Sequence, residues 1–242
     1  VSVNYENEYG CSAVNPTVKD ITVNPVVTPT ITGIAEVCEG SENRVYSTQS
    51  GMSDYVWTVY GGTITAGGTS TDNTVTVTWT DPGTDSVTVN YVTSDGCTSR
   101  TAVKEVNVKP LPVPSVQGND NVCIGSAGNV YTTDAGMTNY IWVVSSGGIV
   151  TNGGTLSDST VTVTWNTAGP KTVSISYTHT NGCSSADATV YDVTVNELPD
   201  VTCPNNDTVC INNPSFTLSG AQPSGGVYSG TDVSAGMFDP GT

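Results

Sequence analysis

The sequence predicts an all-β protein: antiparallel β-sandwiches in tandem, joined by short proline-rich linkers. Three observations carry this. First, the chain of 242 residues repeats itself. Cys38, Gly40, Tyr55 and Trp57 return 85 residues on as Cys123, Gly125, Tyr140 and Trp142. Val75, Val77, Trp79, Gly96 and Cys97 return 86 residues on as Val161, Val163, Trp165, Gly182 and Cys183. A unit of this size can fold alone, so the repeat means a string of small domains rather than a stacked solenoid. Second, Val and Thr alternate with a period of two, the pattern of a half-buried strand, and no stretch keeps a helical period. Third, glycine pairs and Asp-Gly steps fall between the alternating runs at roughly 8–12 residue spacing, where tight turns belong.

The elements follow in order. Val1, Val3, Tyr5, Gly10 and Cys11 match Val87, Val89, Tyr91, Gly96 and Cys97. Residues 1–29 are therefore expected to be the closing strands of a preceding unit, and the chain to be part of a longer polypeptide. In the unit over residues 30–113, Tyr55, Trp57 and Val59 share one strand face. Val75, Val77 and Trp79 share a second, Val87, Val89 and Tyr91 a third, and Val106 and Val108 close the unit. Residues 114–200 repeat the plan, with Val173, Ile175 and Tyr177 and then Val193 and Val195. The step from 85 to 86 places one inserted residue in the turn after Trp142, opposite the stretch from Trp57 to Gly61. Trp57 and Trp142 are expected in the core, as are Trp79 and Trp165 at strand ends beside turns. Proline marks the joints at residues 24–29, 109–114 and 196–199, where it favours extended, semi-stiff backbone. Residues 201–242 do not align with the units before them and read as the start of a different β module.

Seven cysteines accompany a single histidine, which argues against zinc sites. Two cysteines per repeat at matching places predict one disulfide per unit, Cys38 with Cys97 and Cys123 with Cys183, and hence an oxidising compartment. Each bridge is expected to staple an end of its sandwich. Cys11 is expected to pair upstream, and Cys203 and Cys210 to pair with each other or beyond Thr242.

Lys and Arg number 6 against 22 for Asp and Glu, giving a net charge of −16. Such a surface repels nucleic acid and anionic membrane, and no apolar run suits direct membrane insertion. His179 sits beside a predicted turn, is not shared by the other repeat, and reads as a surface residue. No Gly-x-Ser-x-Gly or phosphate-loop motif is present, so the reading is that of a protein that is not an enzyme. Calcium is the one credible ion, with Asp72, Asp81 and Asp85 on loops of the first unit as candidate ligands. Asp158 repeats Asp72, but the second unit has no carboxylate at the other two positions.

A Trp inside an early strand with a cystine between early and late strands is an immunoglobulin-like layout. The carrying pattern is Cys38, Gly40, Tyr46, Tyr55, Trp57, Gly61, Gly62, Val75, Val77, Trp79, Gly96, Cys97, Val106, Val108 and Pro112, and it recurs from Cys123 to Pro199. It resembles the PKD-like and immunoglobulin-like repeats of very large secreted proteins of Bacteroidota. The resemblance implies export by the type IX secretion route and display outside the cell, on the outer membrane surface. It implies a structural and adhesive stalk, as in adhesins and gliding-motility filaments, giving reach and multivalent attachment. Its partners would be other repeats of the same chain and surface glycans or a substratum. The same resemblance fits a self-assembling filament or sheath, or spacer and glycan-binding modules of a secreted hydrolase. It also implies O-glycosylation at Asp-Ser/Thr triplets, which makes Ser86, Ser159 and Thr208 candidates.

Overall fold

A computed structural model describes residues 1–204 and 206–241, and among them the ordered elements are strands, with no helix. The chain divides into two compact units. One is Val1–Val113 together with Thr178–Ala186; the other is Pro114–Tyr177 together with the residues from Asp187 onward.

In the first unit β1 (Ser2–Val3) pairs antiparallel with β2 (Thr17–Val18). The sandwich follows: β3 (Glu36–Cys38), β4 (Ser41–Ser47), β5 (Ser53–Tyr60), β6 (Gly62–Gly67), β7 (Thr74–Trp79), β8 (Gly83–Val92) and β9 (Ala102–Lys109). One sheet has the order β3-β9-β8-β5 and the other β4-β7-β6. The predicted alternation is what builds the core: Val75, Val77 and Trp79 of β7, Val87, Val89 and Tyr91 of β8, and Val106 and Val108 of β9 all point inward and are buried. One pairing departs from the antiparallel expectation. The edge strand β3 runs parallel to β9, with Val37 opposite Val108 and Cys38 opposite Lys109.

The second unit repeats this plan with β10 (Asn121–Cys123), β11 (Asn129–Thr132), β12 (Thr138–Val144), β13 (Gly148–Gly153), β14 (Thr160–Trp165), β15 (Gly169–Thr178) and β16 (Thr189–Asn196). Its sheets are β10-β16-β15-β12 and β11-β14-β13, and β10 is again parallel to β16. The inserted residue lies in a turn: Gly61 alone joins β5 to β6, whereas residues 145–147 join β12 to β13. Further on, β17 (Phe216–Thr217), β18 (Val233–Ser234) and β19 (Met237–Phe238) form a small sheet in the order β17-β19-β18, with Phe216 and Phe238 packed edge to face.

Trp79 and Trp165, at strand ends, are fully buried, more so than Trp57 and Trp142. Each strand-end indole N–H finds a buried side-chain acceptor. Trp79 Nε1 donates to Tyr46 Oη at 3.1 Å, and Trp165 Nε1 donates to Tyr131 Oη at 3.1 Å. A buried indole must have such an acceptor. The ring pair Tyr46–Trp79 meets edge to face, with centroids 6.0 Å apart.

A second network is shared in shape but not in charge. In the first repeat Gln49 Oε1 accepts from Thr30 N, Thr48 Oγ1 and Tyr91 Oη. In the second, Asp134 Oδ2 takes the matching place and accepts from Ser115 N at 3.1 Å, Ser115 Oγ at 3.1 Å and Tyr177 Oη at 2.9 Å. The Ser115 N–H is the largest influence holding the Asp134 carboxyl below its ordinary value of 3.8. Burial, and then the Asp134 carboxylate, push the Tyr177 phenol up to about 12.

Two outcomes follow. Replacing Tyr131 by Phe strands the Trp165 N–H in the core and costs about 1–3 kcal/mol in urea unfolding, and Tyr46→Phe does the same around Trp79. Because the folded Asp134 titrates below the unfolded one, its contribution is complete above the ordinary aspartate range. It disappears as pH falls through the lowered value. Asp134→Gln, which installs the first repeat's side chain, therefore flattens the acid limb of the second unit's stability profile, measured by fluorescence-monitored unfolding across that range.

Candidate functional site

No cluster of three or more His, Cys, Asp or Glu residues able to hold a metal ion occurs among the described residues. Asp72 and Asp158 have matching local roles. Each carboxylate caps its own turn, accepting from the backbone N–H and hydroxyl of Thr69 or Thr155, which holds both acids below the usual carboxylate range. Their carbonyls accept the indole N–H groups of Trp57 and Trp142 at 2.9 Å. Asp81 lies in the turn between β7 and β8. Asp85 is on β8 beneath Gly61, where an added Cβ would stand 2.0 Å from its Cγ. Burial, then the neighbouring Asp81, push the Asp85 carboxyl up. Lys171 occupies its place in the second repeat.

His179 Nδ1 accepts from the Asn181 N–H, and the His179 N–H donates to the Cys183 carbonyl. The ring thus helps close a turn, and no nucleophile is hydrogen-bonded to it among the described residues. A cleft of about 360 Å³ lies between Pro199 and Tyr228, but no carboxylate, histidine, lysine or arginine lines it. Of the three glycosylation candidates, Ser86 is half-buried within β8, Ser159 is half-buried before β14, and Thr208 is exposed in an irregular segment.

The chemistry is in the cysteines. The expected pairs Cys38–Cys97 and Cys123–Cys183 do not form. The bond joins Cys38 to Cys183, with the Cα atoms 5.7 Å apart and a sequence separation of 145. Cys11, Cys97, Cys123, Cys203 and Cys210 are free thiols. The expectation fails because of the parallel edge strand. Cys38 lies opposite Lys109, the last residue of β9, whereas Cys97 lies in the turn before Ala102, the first. The length of β9 separates them by about 23 Å, and a disulfide tolerates a Cα separation of no more than about 7 Å. The same holds for Cys123, opposite Asn196 at the end of β16, and Cys183, ahead of Thr189 at its start.

Two recurring local structures present the sulfurs. The first is a strand end. Cys38 ends β3, Glu39 N donates to Lys109 O and Gly40 N to Trp79 O. Cys123 ends β10, Ile124 N donates to Asn196 O and Gly125 N to Trp165 O. Gly40 and Gly125 take the same left-handed φ of 74° and 77°, which turns the chain away from the strand. The second is a Gly-Cys turn, present three times. Cys11 O accepts from Asn7 N, Cys97 O from Thr93 N, and Cys183 O from His179 N, while the preceding glycine N–H returns to the same residue in each case.

The turn holding Cys183 falls in the second repeat by sequence, yet residues 178–186 belong to the first compact unit. Around the bridge, Lys109 Nζ donates to Glu36 Oε2 at 2.6 Å and to Asn181 O at 3.2 Å, and Asn181 Nδ2 donates to Pro110 O at 3.4 Å. The Lys109–Glu36 pair is exposed enough to contribute little by itself. The bridge closes a loop worth about 5 kcal/mol in the chain-entropy picture.

Several solved structures are similar in part. Fibronectin(III)-like modules of Clostridium thermocellum CbhA align at 17% identity over 69% of this chain and 95% of theirs, with a TM-score of 0.31. The D00-D0 domain of intimin aligns at 14% identity over 69% of this chain and 99% of its own, TM-score 0.35. Invasin, a bacterial integrin-binding protein, aligns at 14% identity over 88% of this chain and 50% of its own, TM-score 0.32. No curated protein matches. The PKD-like domain family matches residues 24–108 and again 109–193, well over half of the sequence, with Cys38 in the first match and Cys183 in the second, and the chain belongs to that family.

Proposed function

We propose that this chain is a structural and adhesive stalk segment of a large extracellular, cell-surface protein, built to span distance and carry tension. The observation that carries this reading is the Cys38–Cys183 bridge. Tension applied to the two ends of the chain passes from Cys38 to Cys183 through the sulfur–sulfur bond. Residues 39–182 lie outside that covalent path. Both β-sandwich repeats are thereby largely relieved of load, although they remain folded around it.

Other features agree. A cystine persists in an oxidising compartment, as outside the cell. The net charge of −16 keeps a densely presented surface protein from self-association and from anionic membrane. PKD-like repeats of this kind fit secretion by the type IX route in Bacteroidota, with attachment arising from many weak contacts to glycans or a substratum. Thr208 is the best placed of the three triplet hydroxyls for an O-glycan, because it is exposed and outside a sheet ladder. Glycopeptide spectra of natively produced protein are expected to show modification at Thr208 ahead of Ser86 and Ser159.

Single-molecule stretching from the two termini tests the load path. With the bridge intact, unfolding releases only the residues before Cys38 and after Cys183; adding a reductant releases roughly 500 Å of further contour length from the loop between them. Equal contour lengths with and without reductant would contradict the stalk reading.

A further inference from the structure

We propose that the Cys38–Cys183 bond is one link of a running series, in which the strand-end cysteine of each PKD-like repeat bonds to the Gly-Cys turn of the repeat that follows it. Cys123 is then a strand end shaped to take the Gly-Cys turn of a PKD-like repeat placed after it. Cys97 is a turn awaiting the strand-end cysteine of a preceding one. Cys11 is a turn of the same kind. The inference stands on covalent connectivity and does not depend on the stalk carrying load.

Three observations lead here. Cys123 shares with Cys38 the two backbone bonds that follow the sulfur, the parallel register and the following left-handed glycine. Cys97 and Cys11 reproduce the turn of Cys183, including the left-handed glycine before the sulfur, with φ of 78° and 80° against 90° at Gly182. And the length of β9 or β16 forbids a strand end from reaching the turn of its own repeat. Of the strand ends and turns presented by the two repeats, Cys38 and Cys183 are the one combination in which a strand end meets the turn of the next repeat, and that is the pair that bonds. Exposure runs in parallel: among the turn cysteines the bonded Cys183 is fully buried while Cys97 is half-exposed and Cys11 exposed, and among the strand ends the bonded Cys38 is half-buried while Cys123 is exposed.

The step needs an oxidant, and a small-molecule disulfide or a disulfide-donating oxidoreductase is the class that supplies it. The Cys123 thiolate attacks the donor disulfide and expels one thiolate, leaving a mixed disulfide. The turn cysteine's thiolate then displaces the second. One S–S bond breaks and one forms; the two cysteines are oxidised, the donor is reduced to two thiols, and these take up the two protons.

Two extended chains test this. In one, residues 114–200 are duplicated in tandem, giving Cys123 a following repeat. In the other, residues 30–113 are duplicated, giving Cys97 a preceding one. After oxidative folding with a glutathione couple and alkylation of remaining thiols, non-reducing peptide maps are read. The expected map of the first joins Cys123 to the duplicate of Cys183 and keeps Cys38–Cys183. The expected map of the second joins Cys97 to the strand-end cysteine of the added repeat. In both, the residue in question goes from fully alkylated in the 242-residue chain to protected. The Cys38–Cys183 peptide is the internal sign that the extended chain has folded. A bond within one repeat, or Cys123 and Cys97 still alkylated while Cys38–Cys183 is intact, overturns the proposal. Loss of Cys38–Cys183 itself in both extended chains overturns it too, since a series cannot break on gaining a member.

Discussion

The parallel pairing of a three-residue edge strand with the last strand of its sheet is the constraint on which the rest of this structure depends. Had β3 run antiparallel to β9, its C-terminal residue would lie toward the start of β9, near the Gly-Cys turn. Running parallel, it delivers Cys38 to Lys109, where the chain leaves the repeat. The sulfur is therefore held at the exit of its own domain, a strand's length from the only other cysteine of that domain. Intradomain closure is excluded by distance, and the bond that forms reaches 145 residues along the sequence. A cystine that in most small sandwiches would stabilise one domain here ties together residues of two successive family repeats.

The sandwiches themselves are conventional in their energetics. Each buries a stripe of valines from alternating strands against a Trp–Tyr pair whose polar atoms satisfy each other. The two copies differ where a difference is cheap. A turn takes one more residue, a carboxylate in β8 becomes Lys171, and a neutral amide at Gln49 becomes a charged acceptor at Asp134. The last of these gives two domains of the same shape different responses to acid, because only the charged acceptor titrates near its working contacts.

Much of the fold was legible in the residues. The period-two runs of Val and Thr mark β7, β8, β14 and β15 directly, and the repeat offset locates the turn that differs. The cystine pairing was not legible, for a definite reason. With one strand-end and one turn cysteine per repeat, pairing within a repeat and pairing with the next repeat use the same residues in the same numbers. Only strand direction separates them, and a short edge strand such as Glu36–Cys38 alternates identically in either direction. Asp72 has a local role that its sequence context also marks: it recurs as Asp158, each three residues after a Thr, the pattern of a turn cap. Trp79 and Trp165 sit at strand ends, and their complete burial becomes intelligible only once Tyr46 and Tyr131, equally repeated, are seen to accept their N–H groups.

The central claim is that strand direction, not cysteine count, decides which sulfurs meet. Peptide mapping of the oxidised 242-residue chain under non-reducing conditions tests it most directly. The account predicts a single linked pair of peptides containing Cys38 and Cys183, with Cys97 and Cys123 recovered as alkylated thiols. Recovery of Cys38 linked to Cys97, or of Cys123 linked to Cys183, would contradict it.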